Sequence, residues 1–443
     1  MSYSKEIKEA LKAAKASVGD RIAVGGEEGL LMPSPEITAS PDHVVLKLDN
    51  GYNIGIKYSG QSLAKSNSPE PKRIAKEYKY ETGGHAKVKQ SCKGKEKVSL
   101  LGAGGTITSR VDYSTGAVYT DMTGDDLLAL VPELGDIACI RTKKVIDKMS
   151  EDFDPLDWAE LAKATAKALE KAEGVVITHG TDTMHYTAAA LSFMLNTPKP
   201  VILTGAQRSS DRGSADAVLN LTCSTYAALS NMAEVAICMH GNSSDDYCDL
   251  IRGTKARKMH STMRNAFRPI NDYPIARVYP NGKIEPKAKY WKRGTGKVEV
   301  DTKFERHVAL LKAYPGADPK VIDFYVDNGA KGLVIEGTAL GHVPTKARKS
   351  WIPRIKSAVK SGVPVVVATQ CVYGTVNPNV YSNLRILYHD AGAIPAQDMT
   401  AETAYVKLGW VLAHAKGDKV RELMAENLRG ELNHNIEPDM FLY

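Results

Sequence analysis

The chain is most constrained by what it lacks. No uninterrupted apolar run approaches the roughly 18–20 residues of a membrane span, and the first residues are mostly polar and include Lys5 and Glu6, so no secretory signal is expected. The six cysteines, Cys92, Cys139, Cys223, Cys238, Cys248 and Cys371, form no C-x-x-C, so neither a zinc knuckle nor a redox dithiol is indicated. Metal-ligand spacing is missing as well, and no G-x-x-x-x-G-K-[ST] loop is present to cradle a nucleotide phosphate. There is no arginine-rich tract, aromatic RNP pattern or Cys/His finger for nucleic acid, no internal repeat and no low-complexity tract. These absences leave a cytoplasmic protein with free, mostly buried thiols, no membrane association, no metal and no cofactor of its own.

What is present is ordinary in bulk and informative in detail. The 443 residues are 43% apolar and 25% charged, enough for two or three packed domains. The net charge is +7, of which residues 1–97 contribute +5 (17 Lys/Arg less 12 Asp/Glu). That balance fits a solvated lysine-rich surface and also an acidic partner such as RNA.

Residues 5–17 read as a short amphipathic helix. Residues 18–60 then alternate apolar and polar positions over short runs, with Asp49-Asn50-Gly51 as a hairpin turn. Residues 1–60 are therefore expected to form a helix and a small SH3-like β-barrel. Residues 61–97 carry Pro69 and Pro71 and little periodicity, and read as a linker. From Val98 the pattern becomes strand, turn, helix. Strands are expected at Val98–Leu101, Gly174–Thr178, Pro200–Thr204, Glu234–Met239, His307–Lys312, Gly332–Glu336, Val363–Ala368 and Leu384–Leu387, with helices at Trp158–Ala172, Met184–Leu195, Ala215–Leu229, Pro319–Asn328 and Lys349–Lys360. This is the signature of a parallel sheet covered on both faces. The Lys- and Gly-rich break at 287–300 divides it into lobes spanning 98–290 and 300–435.

The chemistry lies in the turns. Thr178, His179, Gly180, Thr181, Asp182 and Thr183 follow an apolar run and precede a helical one. Three hydroxyls and a carboxylate therefore fall at the carboxyl end of an expected strand, where α/β sheets bind ligands. Gly104, Gly105, Thr106 and Thr108 form a second such turn. Behind two glycines the backbone can turn sharply and approach a ligand. A threonine hydroxyl there is a nucleophile only with a base or a depressed pKa, and otherwise serves as a helix cap. Thr181, Asp182 and Lys258 can form a hydroxyl, carboxylate and ammonium set in which burial lowers the lysine pKa. Lys258 equally fits a surface basic run with Lys255 and Arg257.

These two turns, the segment Gly205–Asp216 and the Lys258–His260 stretch resemble, in order, the bacterial-type L-asparaginases over roughly residues 98–435. The resemblance implies Thr106 as the acylated nucleophile and Thr181, Asp182 and Lys258 as a catalytic triad. Lys258 is chosen over Lys255 because it stands two residues before His260, with Phe267 in the same register. Tyr119, thirteen residues after Thr106, matches the lid tyrosine, with Tyr113 as its rival. Ser150 and Glu151 align where that family binds the substrate's α-carboxylate and α-amine, Asp182 also facing the amine; Glu151 is otherwise a helix N-terminal acid. Backbone N–H groups around Gly105 and Gly180 are expected to hold the oxyanion. The stretch Thr375–Tyr381 lacks the acid that periplasmic asparaginases supply across subunits, and Thr369-Gln370-Cys371 resembles the cytosolic ones.

Stand-alone asparaginases begin near the first threonine turn, whereas this chain carries about a hundred residues before it. A barrel, a linker and an asparaginase core resemble the D-subunit family of archaeal glutamyl-tRNA(Gln) amidotransferases. That layout implies hydrolysis of glutamine to glutamate and ammonia. An E subunit would bind glutamyl-tRNA(Gln), use ATP and Mg, and receive the ammonia. It also implies a homodimer of this chain within a 2+2 heterotetramer. The alternatives are a free-standing L-asparaginase with an accessory barrel and a non-catalytic RNA- or protein-binding module. One methylene separates glutamine from asparagine, worth only about 1–3 kcal/mol in a pocket.

Overall fold

A computed structural model describes residues 3–32, 41–48, 53–66, 90–105, 107, 109–111, 118–120, 124–208 and 215–442. At the N-terminus, helix Lys5–Ala13 is capped by Ser4 and lays Ile7 and Leu11 onto a five-stranded antiparallel sheet. Its strand order is Asn53–Lys57, His43–Lys47, Glu27–Leu31, Arg21–Val24, Leu63–Lys65. Alternation places Ile22, Val24, Leu31, Val44 and Leu46 inside, with Tyr3 beneath them. The fifth strand falls in the stretch read as linker. The ladder from His43↔Lys57 to Lys47↔Asn53 makes a hairpin whose turn, Asp49-Asn50-Gly51, lies outside the described residues.

The first lobe is built on an eight-stranded sheet. Five strands are parallel, in spatial order Cys139–Lys144, Lys97–Ala103, Gly174–His179, Val201–Thr204, Val235–His240. Lys97–Ala103, Gly174–His179, Val201–Thr204 and Val235–His240 are the parallel strands the sequence pattern predicts, and the sheet continues beyond them. Cys248–Arg252, Ala276–Val278 and Ile284–Pro286 extend it antiparallel. The last two have only three residues each, too few for a periodic signal. The inner strands are buried on both faces, which explains their continuous Val and Ile runs. Helices Pro155–Leu169 and Met184–Met194 pack against one face and Ala217–Leu229 against the other.

The second lobe has four parallel strands in sequential order: Val308–Lys312, Gly332–Gly337, Val365–Thr369 and Ile394–Pro395. The strand expected at Leu384–Leu387 is a helix, Ser382–Arg385, running into a wider turn at Ile386–Asp390. Leu384, Leu387 and Tyr388 recur at the three- and four-residue spacing of one helical face and are all buried. Helix Ala401–Leu412 crosses between the lobes, packing on both Met184–Met194 and the second sheet. Its Lys407 forms a fully buried ion pair with Glu431 at 2.6 Å.

The thiols are not all free. Cys92 and Cys139 are joined in a disulfide across a sequence separation of 47, while Cys223, Cys238, Cys248 and Cys371 stay reduced. The strand register sets Cys139 opposite Lys97, and a turn closed by Lys95 N donating to Cys92 O folds Cys92 back to meet it. Only tertiary pairing brings the two together, so a search for C-x-x-C has no access to the bond. Among the described residues no helix is long and apolar enough to cross a membrane.

Candidate active site

Strand order locates the site before any side chain does. In chain order the five parallel strands run 2-1-3-4-5, so connections leave in opposite directions from Lys97–Ala103 and Gly174–His179. A crevice opens at the carboxyl ends of such a pair. The parallel register aligns Ala103 with His179, so the two threonine turns leave the sheet side by side. Their glycines let the backbones touch. Gly105 has φ +88°, and a Cβ built on it would stand 2.3 Å from both Gly180 Cα and N. A Cβ on Gly180 would stand 2.8 Å from Ser150 Oγ, and one on Gly104 would fall 2.2 Å from Lys148 O. Three chain segments thus converge at a point only glycine fits.

Thr181, Asp182 and Lys258 meet here. Lys258 Nζ donates to Thr181 Oγ1 at 2.9 Å and to Asp182 Oδ1 at 2.6 Å. Thr181 is 6% exposed and the Lys258 side chain 10%, whereas Asp182 is 65% exposed and open to a ligand. Lys258 ends strand Ala256–Lys258, which pairs with Phe267–Pro269 so that Lys258 stands opposite Phe267. That contact is the physical content of the nine-residue register seen in the sequence.

Ser150 is buried at the start of the short turn Ser150–Asp152, and its carbonyl accepts from Thr183 Oγ1 at 2.5 Å. Thr183 stands at the helix N-cap position of Met184–Met194, yet its hydroxyl makes this cross-link instead of a cap. Glu151 is exposed on the same turn, and the helix that follows is capped by Asp154 through a capping box with Asp157. Thr106 and Tyr113 lie outside the described residues. Tyr119 belongs to the short strand Val118–Thr120, paired with Ser109–Val111, of which the backbone is described.

Several contributors were not singled out by the sequence reading. Gln207 Oε1 lies 3.5 Å from the Thr181 hydroxyl, at the limit of hydrogen bonding. Gln207 is held by its own N–H and that of Arg208, both donating to the Asp216 carboxylate at 3.0–3.1 Å. Asn220 Nδ2 also reaches that carboxylate, and burial pushes the Asp216 pKa up. Gln207 and Asp216 bracket the Gly205–Asp216 motif, which was the available signal. His179 is fully buried, with its ring nitrogens at Gly180 O (2.7 Å) and Thr187 Oγ1 (3.0 Å). Burial lowers its pKa to about 4, so it orients the turn as a neutral imidazole. His185 is lowered further, to about 3, by burial and by the nearby Arg257 and Lys258. A separate cavity of about 630 Å³ between the lobes, walled by Phe153, Trp158, Tyr186 and Tyr405, shares Thr183 with the site but not Thr181, Asp182 or Lys258.

Comparison with known proteins gives the chain's family and fold. Residues 97–291 match the family model described as Asparaginase, N-terminal. Residues 307–424 match the Glutaminase/Asparaginase C-terminal domain, and residues 16–65 the GatD N-terminal domain. The chain is 49% identical to the glutamyl-tRNA(Gln) amidotransferase D subunit of Thermococcus kodakarensis, covering 99% of each. It is 44% identical to the protein of that name in Methanothermobacter thermautotrophicus, covering 98% of each. Among solved structures, the thermostable L-asparaginase from Thermococcus kodakarensis superposes with a TM-score of 0.69 at 32% identity, over 76% of this chain and 100% of that one. L-asparaginase I from Vibrio cholerae gives 0.66 at 29% identity, over 76% and 99%.

Proposed function

The chain belongs to the family of glutamyl-tRNA(Gln) amidotransferase D subunits, and on that premise we propose that it is the glutaminase half of such an enzyme, with Thr106 as nucleophile. The supporting observation is Lys258 Nζ held between Thr181 Oγ1 and Asp182 Oδ1 at 2.9 and 2.6 Å, at the switch point where the strand ending at Ala103 lies beside the one ending at His179. Glutamine enters with its ammonium group toward the exposed Asp182 and Glu151 and its α-carboxylate toward Ser150. The Thr106 oxygen attacks the side-chain amide carbon. The C–N bond breaks, and nitrogen leaves as ammonia after taking up the hydroxyl proton. Water then attacks the acyl-threonine ester, and its proton returns to Thr106 as glutamate departs. Thr181 and Lys258 relay protons in these steps, and Asp182 keeps the lysine oriented. Backbone N–H groups around Gly105 and Gly180 meet the oxyanion, and Tyr119 closes over the site.

The ammonia passes to an E subunit, which holds ATP and Mg and converts glutamyl-tRNA(Gln) to glutaminyl-tRNA(Gln). The chain pairs with itself in a cytoplasmic 2+2 assembly. Replacing Thr106 by alanine tests the nucleophile. Ammonia release from glutamine is expected to vanish while the thermal midpoint stays within a few degrees of the parent. Retained turnover rejects Thr106.

A further inference from the structure

We propose that Asp398 and Glu402, on the second lobe, are positioning residues that set where the Lys258 ammonium stands in the first. The inference rests on the triad reading above and extends it across the lobe boundary. Along the strand Ala256–Lys258 successive side chains point to opposite sides, so Lys258 points to Thr181 and Asp182 while Arg257 points to the second lobe. Lys255, in the turn just before the strand, reaches the second lobe as well. There Lys255 Nζ meets Asp398 Oδ2 at 2.5 Å, with the two side chains only 1% and 3% exposed. Arg257 Nη1 meets Glu402 Oε1 at 2.8 Å. The backbone is tied at the same place: Thr403 Oγ1 donates to Thr254 O at 2.9 Å, and Thr254 Oγ1 to Arg429 O at 3.1 Å. Beyond the paired strand, Asn271 Nδ2 donates to Asp398 O at 3.0 Å, so both arms of the Lys258 hairpin are held.

The anchor is rigid in its own right. Glu402 lies in the first turn of helix Ala401–Leu412, whose N-cap Thr400 accepts from Thr403 N. Asp398 also accepts from Asn433 N. A buried ion pair is a poor source of stability, because desolvation offsets its attraction, and its best-attested use is to fix registry. Here the register fixed is that of the strand that ends on the triad lysine. A displacement of about 1 Å in a catalytic group is enough to lower turnover by about 10²-fold. The second lobe thus completes the triad without touching substrate.

The test uses the full chain assembled with its partner subunit, ATP and glutamyl-tRNA(Gln), and reads ammonia release from glutamine for Asp398→Asn, Glu402→Gln, Lys258→Ala and the second-lobe control Asp301→Asn. Free full-length chain labelled at lysine Cε, with Lys258→Arg for assignment, reports the Lys258 resonance independently of activity. Both carboxylate variants are expected to lower kcat by about ten- to a hundredfold with KM nearly unchanged and to move the Lys258 resonance; Asp301→Asn does neither. Unchanged kcat and resonance, with only a lowered thermal midpoint, overturn the proposal. Loss of turnover in Lys258→Ala alone, with both carboxylate variants at parental rate, overturns the positioning role and leaves the triad standing. Full turnover in Lys258→Ala overturns both. If the buried Asp398→Asn chain does not fold, Glu402→Gln decides, since its Arg257 partner is a quarter exposed and can find solvent.

Discussion

At the catalytic end of the first lobe, backbone is pressed on backbone. Gly104, Gly105 and Gly180 each stand where a Cβ would fall within 3 Å of a neighbouring chain segment. At two helix ends of the second lobe, Gly329 and Gly362 also have positive φ, but there nothing lies within 4 Å of the Cβ either would carry. They follow helices Lys320–Asp327 and Ile352–Lys360, where a left-handed residue simply ends the helix. The interiors differ in the same way. Beneath the first lobe's turns run hydrogen-bonded polar groups, His179 with Thr187 and Asn220 with Asp216 and His240. In the second lobe the buried Lys407–Glu431 pair stands apart from the main cluster, which is apolar and centred on Trp351 with Leu333, Ile335, Val365 and Val367. One lobe places polar atoms to tight tolerance, and the other supplies packed mass that clamps them.

The sharpest way to break this contrast is to perturb each lobe at its own weak point. Gly105→Ala forces a methyl into Gly180 at a positive φ and is expected to lower turnover by about 10²-fold or more, with a stability loss of about 1–3 kcal/mol from overpacking. Trp351→Ala is expected to cost about 3–5 kcal/mol of stability while the surviving folded enzyme keeps its kcat. Ammonia-release kinetics beside thermal unfolding separate the two. If Trp351→Ala lowers kcat as much as Gly105→Ala does, the division of labour is wrong.

The outer edge of the first lobe gives a smaller effect. The Cys92–Cys139 bond closes a loop with sequence separation 47. By loop entropy, its removal in Cys92→Ser is expected to cost about 4 kcal/mol, read from denaturant unfolding with and without reductant. A parent chain insensitive to reductant contradicts it.

The smallest expected effect is acid sensitivity. His179 is neutral in the folded state, with a pKa lowered to about 4 by burial, against an ordinary value of 6.5. Below 6.5 the unfolded chain takes up a proton that the folded chain refuses. The neutral ring's contribution is therefore present above about pH 6.5 and lost as pH falls toward 4, by at most about 3 kcal/mol. His179→Asn should flatten the stability profile over that window; an unchanged slope assigns the acid limb elsewhere.

Much of this was legible in the sequence because it is local. The apolar runs before Thr178 and Gly104 are doubly buried strands, and the turns that follow carry their chemistry on consecutive residues. Lys258 was separable from Lys255 through the resemblance, which places the lysine two residues before His260, with Phe267, its partner across the hairpin, in the same register. What was hidden is long-range or too short. The Lys255–Asp398 contact joins residues 143 apart, and the Cys92–Cys139 bond depends on one strand register. The two outermost strands of the first sheet's antiparallel extension have three residues each. Leu384–Leu387 was misread because a four-residue segment with three apolar positions fits a strand as well as a helix, and only the spacing to Tyr388 decides between them. Gln207 lay inside a recognised motif, but nothing in the motif says that its amide faces Thr181.

The most direct measurement is ammonia release from glutamine and from asparagine, first by the purified chain alone and then with the E subunit, ATP and glutamyl-tRNA(Gln). Glutamine turnover that rises steeply only in the full mixture is the expected result, and ties the Thr181, Asp182 and Lys258 site to its partner. Brisk asparagine turnover by the chain alone, unmoved by the additions, would contradict it and make the protein a free-standing asparaginase.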